Sequence, residues 1–391
     1  MRTLPDVLPI ESRLIETRRI LHRHPETGFD LPWTHDFVAS QLREAGIPFT
    51  AHVGKNSLIA RIENGKGPVL GLRADMDALP IFEISRDLPY RSEQDGKMHA
   101  CGHDAHTAIL LETARFLQIH RENWRGTVKL IFQEAEEGPH PGGALGVCES
   151  GWVDDVERFF AFHVSPAYPT GTVAIKSGET MAAADTVKIR LVGRGCHAAY
   201  PHLGIDPIVM QAEAILAMQN IVSRRLDPTE SAVLTIARVQ AGTTHNVIPA
   251  FAELEGTVRT FNEKTRAMME KEIRSVLEAL TARYGGSFEY QYLREYDPTY
   301  NDPETTQMFR RAVEGSLGVT GFVPLDKPTM GAEDFSRYAA LKKGCIAWLG
   351  TRGDETTGYS LHHPAFNIDE KALKYGVLCF VNLVETYGKD E

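Results

Sequence analysis

The spacing of apolar and polar positions changes period several times along the chain, and each change marks an element. Residues 10–24 put Ile10, Leu14 and Leu21 on one stripe, the spacing of an amphipathic helix. A second helix follows Thr34, carries Phe37, Val38 and Leu42, and stops at Gly46 ahead of Pro48. Short apolar runs at 57–62 and 69–73 come next, then a long helical pattern over 104–120 through Ile109, Leu110, Ala114 and Leu117. The runs 128–132 and 158–164 are rich in β-branched and aromatic residues and read as buried strands. Strands alternating with helices predict a layered α/β domain.

Between 185 and 293 the rhythm differs. Residues 186–192 alternate as a strand and 205–226 carry a long helical pattern. Strands at 232–240 and 252–261, a charged amphipathic helix over 263–284 and a strand at 287–293 complete the segment. That order, β-α-β-β-α-β, is the ferredoxin-like arrangement. After Pro298 and Pro303 the α/β style returns, with a strand at 345–349 and a helix from about 369. The predicted organisation is an α/β domain in two parts, 1–184 and 294–391, interrupted by a smaller domain over 185–293.

Composition narrows the functional classes. A chain of 391 residues exceeds what one hydrophobic core usually organises, in keeping with two domains. The longest apolar runs are five residues, for example at 377–381, against the ~20 that a membrane helix needs, so no membrane partner is expected. Residues 1–6 show no apolar stretch of a secretory signal. Lys and Arg total 42 against 52 Asp and Glu, a formal charge of −10 without a basic stripe, so nucleic acid is not an expected partner. The five cysteines, at 101, 148, 196, 345 and 379, form no CxxC pair, and the expected location is the reducing cytoplasm.

Fifteen histidines are the compositional oddity, and several cluster. The densest group runs from Met98 to His106, reading Met-His-Ala-Cys-Gly-His-Asp-Ala-His. Cys101 and His103, separated by a glycine at a helix start, can turn toward one ion; a polar loop around a buried thiol fits the same letters. His99, Asp104 and His106 add weight, because metal-bound imidazoles need acceptors of their own. Glu136 and Glu137 follow an apolar strand. On consecutive strand-like residues they would point apart, one toward a metal and the other toward a water as general base. A solvated acidic loop is the bland alternative. His163 ends another apolar strand, where an imidazole is often just part of the core. One of His362 and His363, in a C-terminal loop, completes enough donors for two divalent ions of the zinc type. In the inserted segment His197, Asn246 and Arg259 can polarise a carbonyl and hold a carboxylate, or simply serve turns and surface charge. The chain lacks HExxH, a P-loop and GxSxG.

Taken in order, these residues resemble the aminoacylase-like family of two-metal amidohydrolases, related to glutamate carboxypeptidases. The resemblance runs almost end to end. It includes His-Arg-His-Pro-Glu at 22–26, Leu-Arg-Ala-Asp-Met-Asp-Ala-Leu-Pro at 72–80, the Met98 to His106 run, the 136–137 pair and 193–207. It continues through Asn-Val-Ile-Pro at 246–249, Gly-Ala-Glu-Asp-Phe at 331–335 and Leu-His-His-Pro at 361–364. The resemblance implies a zinc-exopeptidase-like α/β catalytic domain with an inserted ferredoxin-like lid and dimerisation domain. It implies two divalent metal ions per subunit, zinc first, with manganese, cobalt or nickel as alternatives. The implied ligands are Cys101, His103, Glu137, His163 and His362, with Glu136 as general base and later acid. His197 resembles the group that stabilises the oxyanion, often in the partner subunit's site. Asn246 and Arg259 resemble substrate contacts, and Asp77 a residue orienting a ligand. The implied activity is hydrolysis of N-acyl amino acids, with acetyl, benzoyl or similar acyl groups, by a homodimer or homotetramer joined through the lid. A dipeptidase or carboxypeptidase acting on short peptides, or a catalytically silent metal-binding protein, are the alternatives. Two departures stand out: Cys196 where the family usually has glycine, and the Pro- and His-rich turn at 138–143.

Overall fold

The computed structural model describes residues 1–85 and 87–387. The chain divides into two compact units, one formed by 1–178, 300–327 and 334–391, the other by 179–299 and 328–333.

The first unit is built on an eight-stranded mixed sheet. Its order is Phe49–Val53, Ser57–Asn64, Gly126–Gln133, Val69–Asp75, Arg158–Pro169, Lys343–Arg352, Val173–Ile175 and Phe322–Pro324. The central four run parallel, in register through Asp75↔Gln133, Leu72↔Phe160 and Ile346↔Ala161. Alternation decides the layers. In Gly126–Gln133, Val128, Leu130 and Phe132 enter one core with helices His103–Ile119 and Leu373–Tyr387. Ile131 points the other way, into a smaller core with Phe159, Phe335 and Tyr338. Both faces are covered, which is why these strands read as continuous apolar runs. Helix His103–Ile119 is buried along nearly its whole length. Central parallel strands end on one side of such a sheet, where a crevice for chemistry forms.

The second unit is an antiparallel sheet ordered Ala232–Ala241, Phe251–Thr260, Ala184–Val192, Ser287–Tyr296. In chain order within the unit this is 2-3-1-4, the ferredoxin-like order, with helices Pro207–Asn220 and Glu263–Tyr284. Val187, Ile189, Leu191, Met210, Leu254, Met269 and Ile273 form its core. Asn262 caps the second helix by accepting from Thr265 N–H at 2.9 Å. The periodicity predicts one helix over 205–226, but the α-helix stops at Asn220 and widens into a π turn over Ile221–Arg225. Leu226 then leaves in extended conformation, two residues ahead of Pro228, which cannot continue a helix.

Candidate metal centre

The parallel strands deliver their carboxyl ends to one place in the first unit. Val69–Asp75 ends in Asp75, with Asp77 just beyond; Gly126–Gln133 leads to Glu136 and Glu137; Arg158–Pro169 carries His163. Helix His103–Ile119 begins there, with Cys101 two residues earlier. Gly102 between them sits at φ +83°, and a Cβ on it would come within 2.3 Å of Val164 Cγ2. A glycine is required at this position on both counts.

Glu136 and Glu137 are not strand residues, as the sequence reading takes them. The strand stops at Gln133, and Ala135 at φ +52° turns the chain before the pair. Their directions are set instead by Asp77, whose two oxygens accept the backbone N–H of Glu136 at 2.9 Å and of Glu137 at 3.0 Å. The same carboxylate lies 3.4 Å from His103 Nδ1.

Side-chain donors converge. Cys101, His103 and His163 bring one ligand atom each within 4.8 Å of one another; so do Cys101, Glu137 and His362, and so do His103, Glu136 and Glu137. Cys101 Sγ is 3.4 Å from His163 Nε2, and His362 Nε2 is 3.1 Å from Glu137 Oε1. His362 stands at φ +65° with its N–H on Ala100 O at 2.8 Å, which ties its loop to the Cys101 segment. Its neighbour His363 turns away: it stacks on Tyr359 at 4.6 Å and accepts from Ala365 N–H at 3.0 Å.

The electrostatics are those of a site that wants cations. Burial raises the Cys101 thiol, and the Glu137 and Glu136 carboxylates push it further, well above its ordinary value. Burial alone would lower the His103 imidazolium, but Asp75, Asp77 and Glu137 outweigh it and push it up to about 10. Burial likewise opposes ionisation of Glu137, yet the His362 hydrogen bond and the His103 charge bring it below its usual range. Both ring nitrogens of fully buried His103 lack a hydrogen bond of good geometry. Buried polar groups are normally satisfied. An orphaned imidazole beside a thiol and carboxylates fits a zinc-type divalent ion.

In the second unit, His197 and Asn246 come together on a short ribbon. Cys196–His197 pairs antiparallel with Val247–Ile248, His197 opposite Val247, and Ala198 N–H donates to Asn246 O at 3.0 Å. His197 is exposed. Arg259 lies apart from the ribbon, in the strand Phe251–Thr260 opposite Val233. The sequence reading leaves Asp75, buried beside these donors, without a role. Asp75 accepts from His106 Nδ1–H at 2.5 Å and receives Arg73 at 2.8 Å. The Asp-x-Asp spacing at a strand end was the available signal.

The chain is similar to known proteins over most of its length. The model of Peptidase family M20/M25/M40 matches residues 71–386. The N-acetylcysteine deacetylase of Bacillus subtilis is 40% identical over 375 residues, covering 95% of this chain and 96% of that protein. Thermostable carboxypeptidase 2 of Saccharolobus solfataricus is 37% identical, covering 95% of each. A crystal structure of a dinuclear metal-binding M20 peptidase, YXEP of Bacillus subtilis, superimposes with a TM-score of 0.85 at 37% identity, over 98% of this chain and 99% of that one. This chain therefore belongs to peptidase family M20/M25/M40 and is a metal-dependent amide hydrolase.

Proposed function

We propose that the protein hydrolyses N-acyl amino acids to a carboxylic acid and a free amino acid. The observation carrying this is Glu136, held by Asp77 among the five donors Cys101, His103, Glu137, His163 and His362. Those five would hold two divalent ions, which polarise the amide carbonyl and make a water acidic enough to attack near neutral pH. Glu136 takes the proton of the attacking water and returns it to the leaving amine, the double role of a general base and acid. His197 is assigned to the oxyanion, and Asn246 and Arg259 to the substrate carbonyl and carboxylate. A thiolate with imidazoles favours zinc, with manganese, cobalt or nickel as working substitutes.

The acyl class follows the named relatives, one of which is an N-acetylcysteine deacetylase. Peptidase action on short peptides is the second reading, supported by the carboxypeptidase relative. Amine release from N-acetyl, N-benzoyl and indoleacetyl amino acids and from dipeptides separates the two. Turnover on the acyl amino acids should exceed that on dipeptides. It should fall about 10²–10⁴-fold in Glu136→Gln at unchanged metal content. Near-normal turnover in that variant would sink the mechanism.

A homodimer joined through the second unit is part of the proposal. Strand Ala232–Ala241 is one of the two edges of its sheet and is exposed at half of its positions, and helix Pro207–Asn220 exposes Ile208, Val209 and Leu216. Edge strands and apolar patches are surfaces that partners cover. Five free cysteines suit a cytoplasmic setting, and among the described residues no helix is long and apolar enough to cross a membrane.

A further inference from the structure

His106 completes the Cys-Gly-His-Asp-Ala-His run, and it lies with Asp75 and His103 in a group compact enough to hold an ion. Its hydrogen bonds exclude that role. Nδ1 faces Asp75 Oδ1 at 2.5 Å, and Nε2 accepts the backbone N–H of Val164 at 2.8 Å. A backbone N–H can only donate, so Nε2 must carry the lone pair and Nδ1 the proton. Both ring nitrogens are spent, and neither is left for a metal.

Val164, on which His106 acts, is a junction. Its carbonyl accepts from His163 Nδ1 at 2.8 Å, which fixes the His163 proton on Nδ1 and leaves the Nε2 lone pair facing Cys101 Sγ at 3.4 Å. Its side chain fills the space that a Cβ on Gly102 would need. One residue thus sets the position of the His163 ring and the packing of the Cys101–His103 turn. Behind it, Arg73 holds Asp75 at 2.8 Å, and Asp334 takes the guanidinium at 2.6 Å, so the acceptor for His106 stays an anion.

We propose that His106 is a positioning residue. Strung between Asp75 and the Val164 peptide, it sets where His163 presents Nε2 beside Cys101. This rests on Cys101 and His163 being metal ligands, and the test separates the two ideas.

Metal-free protein would be titrated with cobalt(II) alone, following stoichiometry, affinity and the thiolate-to-cobalt absorption band in wild type, His106→Asn and His106→Leu. Both variants should still bind two equivalents. Affinity should be about 10–100-fold weaker, the usual cost of losing a group that orients a ligand. The thiolate band should shift, and kcat at saturating cobalt should drop while KM moves less than about twofold. Loss of one equivalent would make His106 a ligand and overturn the proposal. So would folded variants whose band, affinity and kcat match wild type, since His106 would then only fill the core. A wild-type spectrum without a thiolate band would instead remove Cys101 from the metal, and the proposal with it. Should both variants fail to fold, nitrogen NMR of histidine-labelled wild type decides. His106 Nε2 should be unprotonated and unmoved by cadmium(II), and a protonated or cadmium-shifted Nε2 overturns the proposal.

Discussion

Both units bury arginine against aspartate, and the Arg73–Asp75 pair of the first unit is finished differently from the Arg266–Asp185 pair of the second. In the second unit Arg266 spans Asp185 at 2.6 Å, Asp297 at 2.7 Å and the Tyr296 carbonyl at 3.3 Å, while Tyr292 donates to Asp185 at 2.6 Å. In the first unit Arg73 binds Asp75, Gln133 and Asp334 just as closely, but Asp75 also faces His103 at 3.6 Å, beyond hydrogen-bond reach. Arg266, Asp185 and Tyr292 all have hydrogen-bond partners, whereas the Arg73 cluster adjoins an imidazole whose ring nitrogens have none. Burial of charge marks both places. What separates a structural cluster from a reactive one is whether its outermost group is satisfied.

Breaking that contrast gives the largest expected effect. Arg266→Met leaves Asp185 buried without its counter-charge, with the Tyr292 hydroxyl still donating to it, and should cost about 3–5 kcal/mol of stability in a denaturant titration. Metal stoichiometry and turnover per folded molecule should not change. A parallel loss of metal would mean that the Arg266 cluster is not purely structural. Within the metal centre, the adjacent histidines should part company. His362→Ala, which removes a proposed donor atom, should lose at least the ~10–100-fold in metal affinity or activity that removal of an orienting group costs, whereas His363→Ala, off the site, should stay within about twofold. Equal losses would erase the distinction drawn from their geometry.

A pH series sharpens the comparison further. Without metal, His103, pushed up to about 10, holds its proton at neutral pH, and so does the raised Cys101 thiol. A metal must expel both protons, so affinity rises with pH, by up to about tenfold per unit for each proton released. Competition titrations at several pH values, read with the protons liberated into weak buffer, check this. A flat profile would mean that neither group binds metal. The smallest effect belongs to the surface of the second unit. Leu216→Glu should shift the stability of the isolated chain by less than about 0.5 kcal/mol. In sedimentation it should weaken self-association, and a protein that is monomeric before the change would remove the proposed dimer.

Elements with strong periodicity were legible from the letters: the 104–120 pattern is helix His103–Ile119, and the 263–284 pattern is helix Glu263–Tyr284. The order of elements also carried the ferredoxin-like sheet, since strand pairing there follows connection length and handedness. Short pieces were not legible. Strands Val173–Ile175 and Phe322–Pro324 have three residues each, too few to show a period, and owe their extension to pairing with each other and, for the first, with Lys343–Arg352. The bend at Ala135 was hidden because nothing in alanine announces a positive φ. For the site, residue types announced metal chemistry, but the division of labour did not show. His103 and His106 sit three residues apart with the same side chain. Their roles differ because Val164 N–H meets only one of them, a fact about strand placement that no local pattern encodes.

The convergence of Cys101, Glu137, His163 and His362 has a consequence for the life of the protein in a cell. These candidate donors lie on segments far apart in the chain, so an ion held by them would act as a clasp across several loops at once. A ligand that binds only the folded form stabilises it in proportion to the logarithm of its concentration, about 2.7 kcal/mol at a hundredfold excess over Kd. Molecules made when metal is scarce should therefore open more often and meet proteases sooner. The amount of enzyme, as well as its activity, would then follow the metal supply.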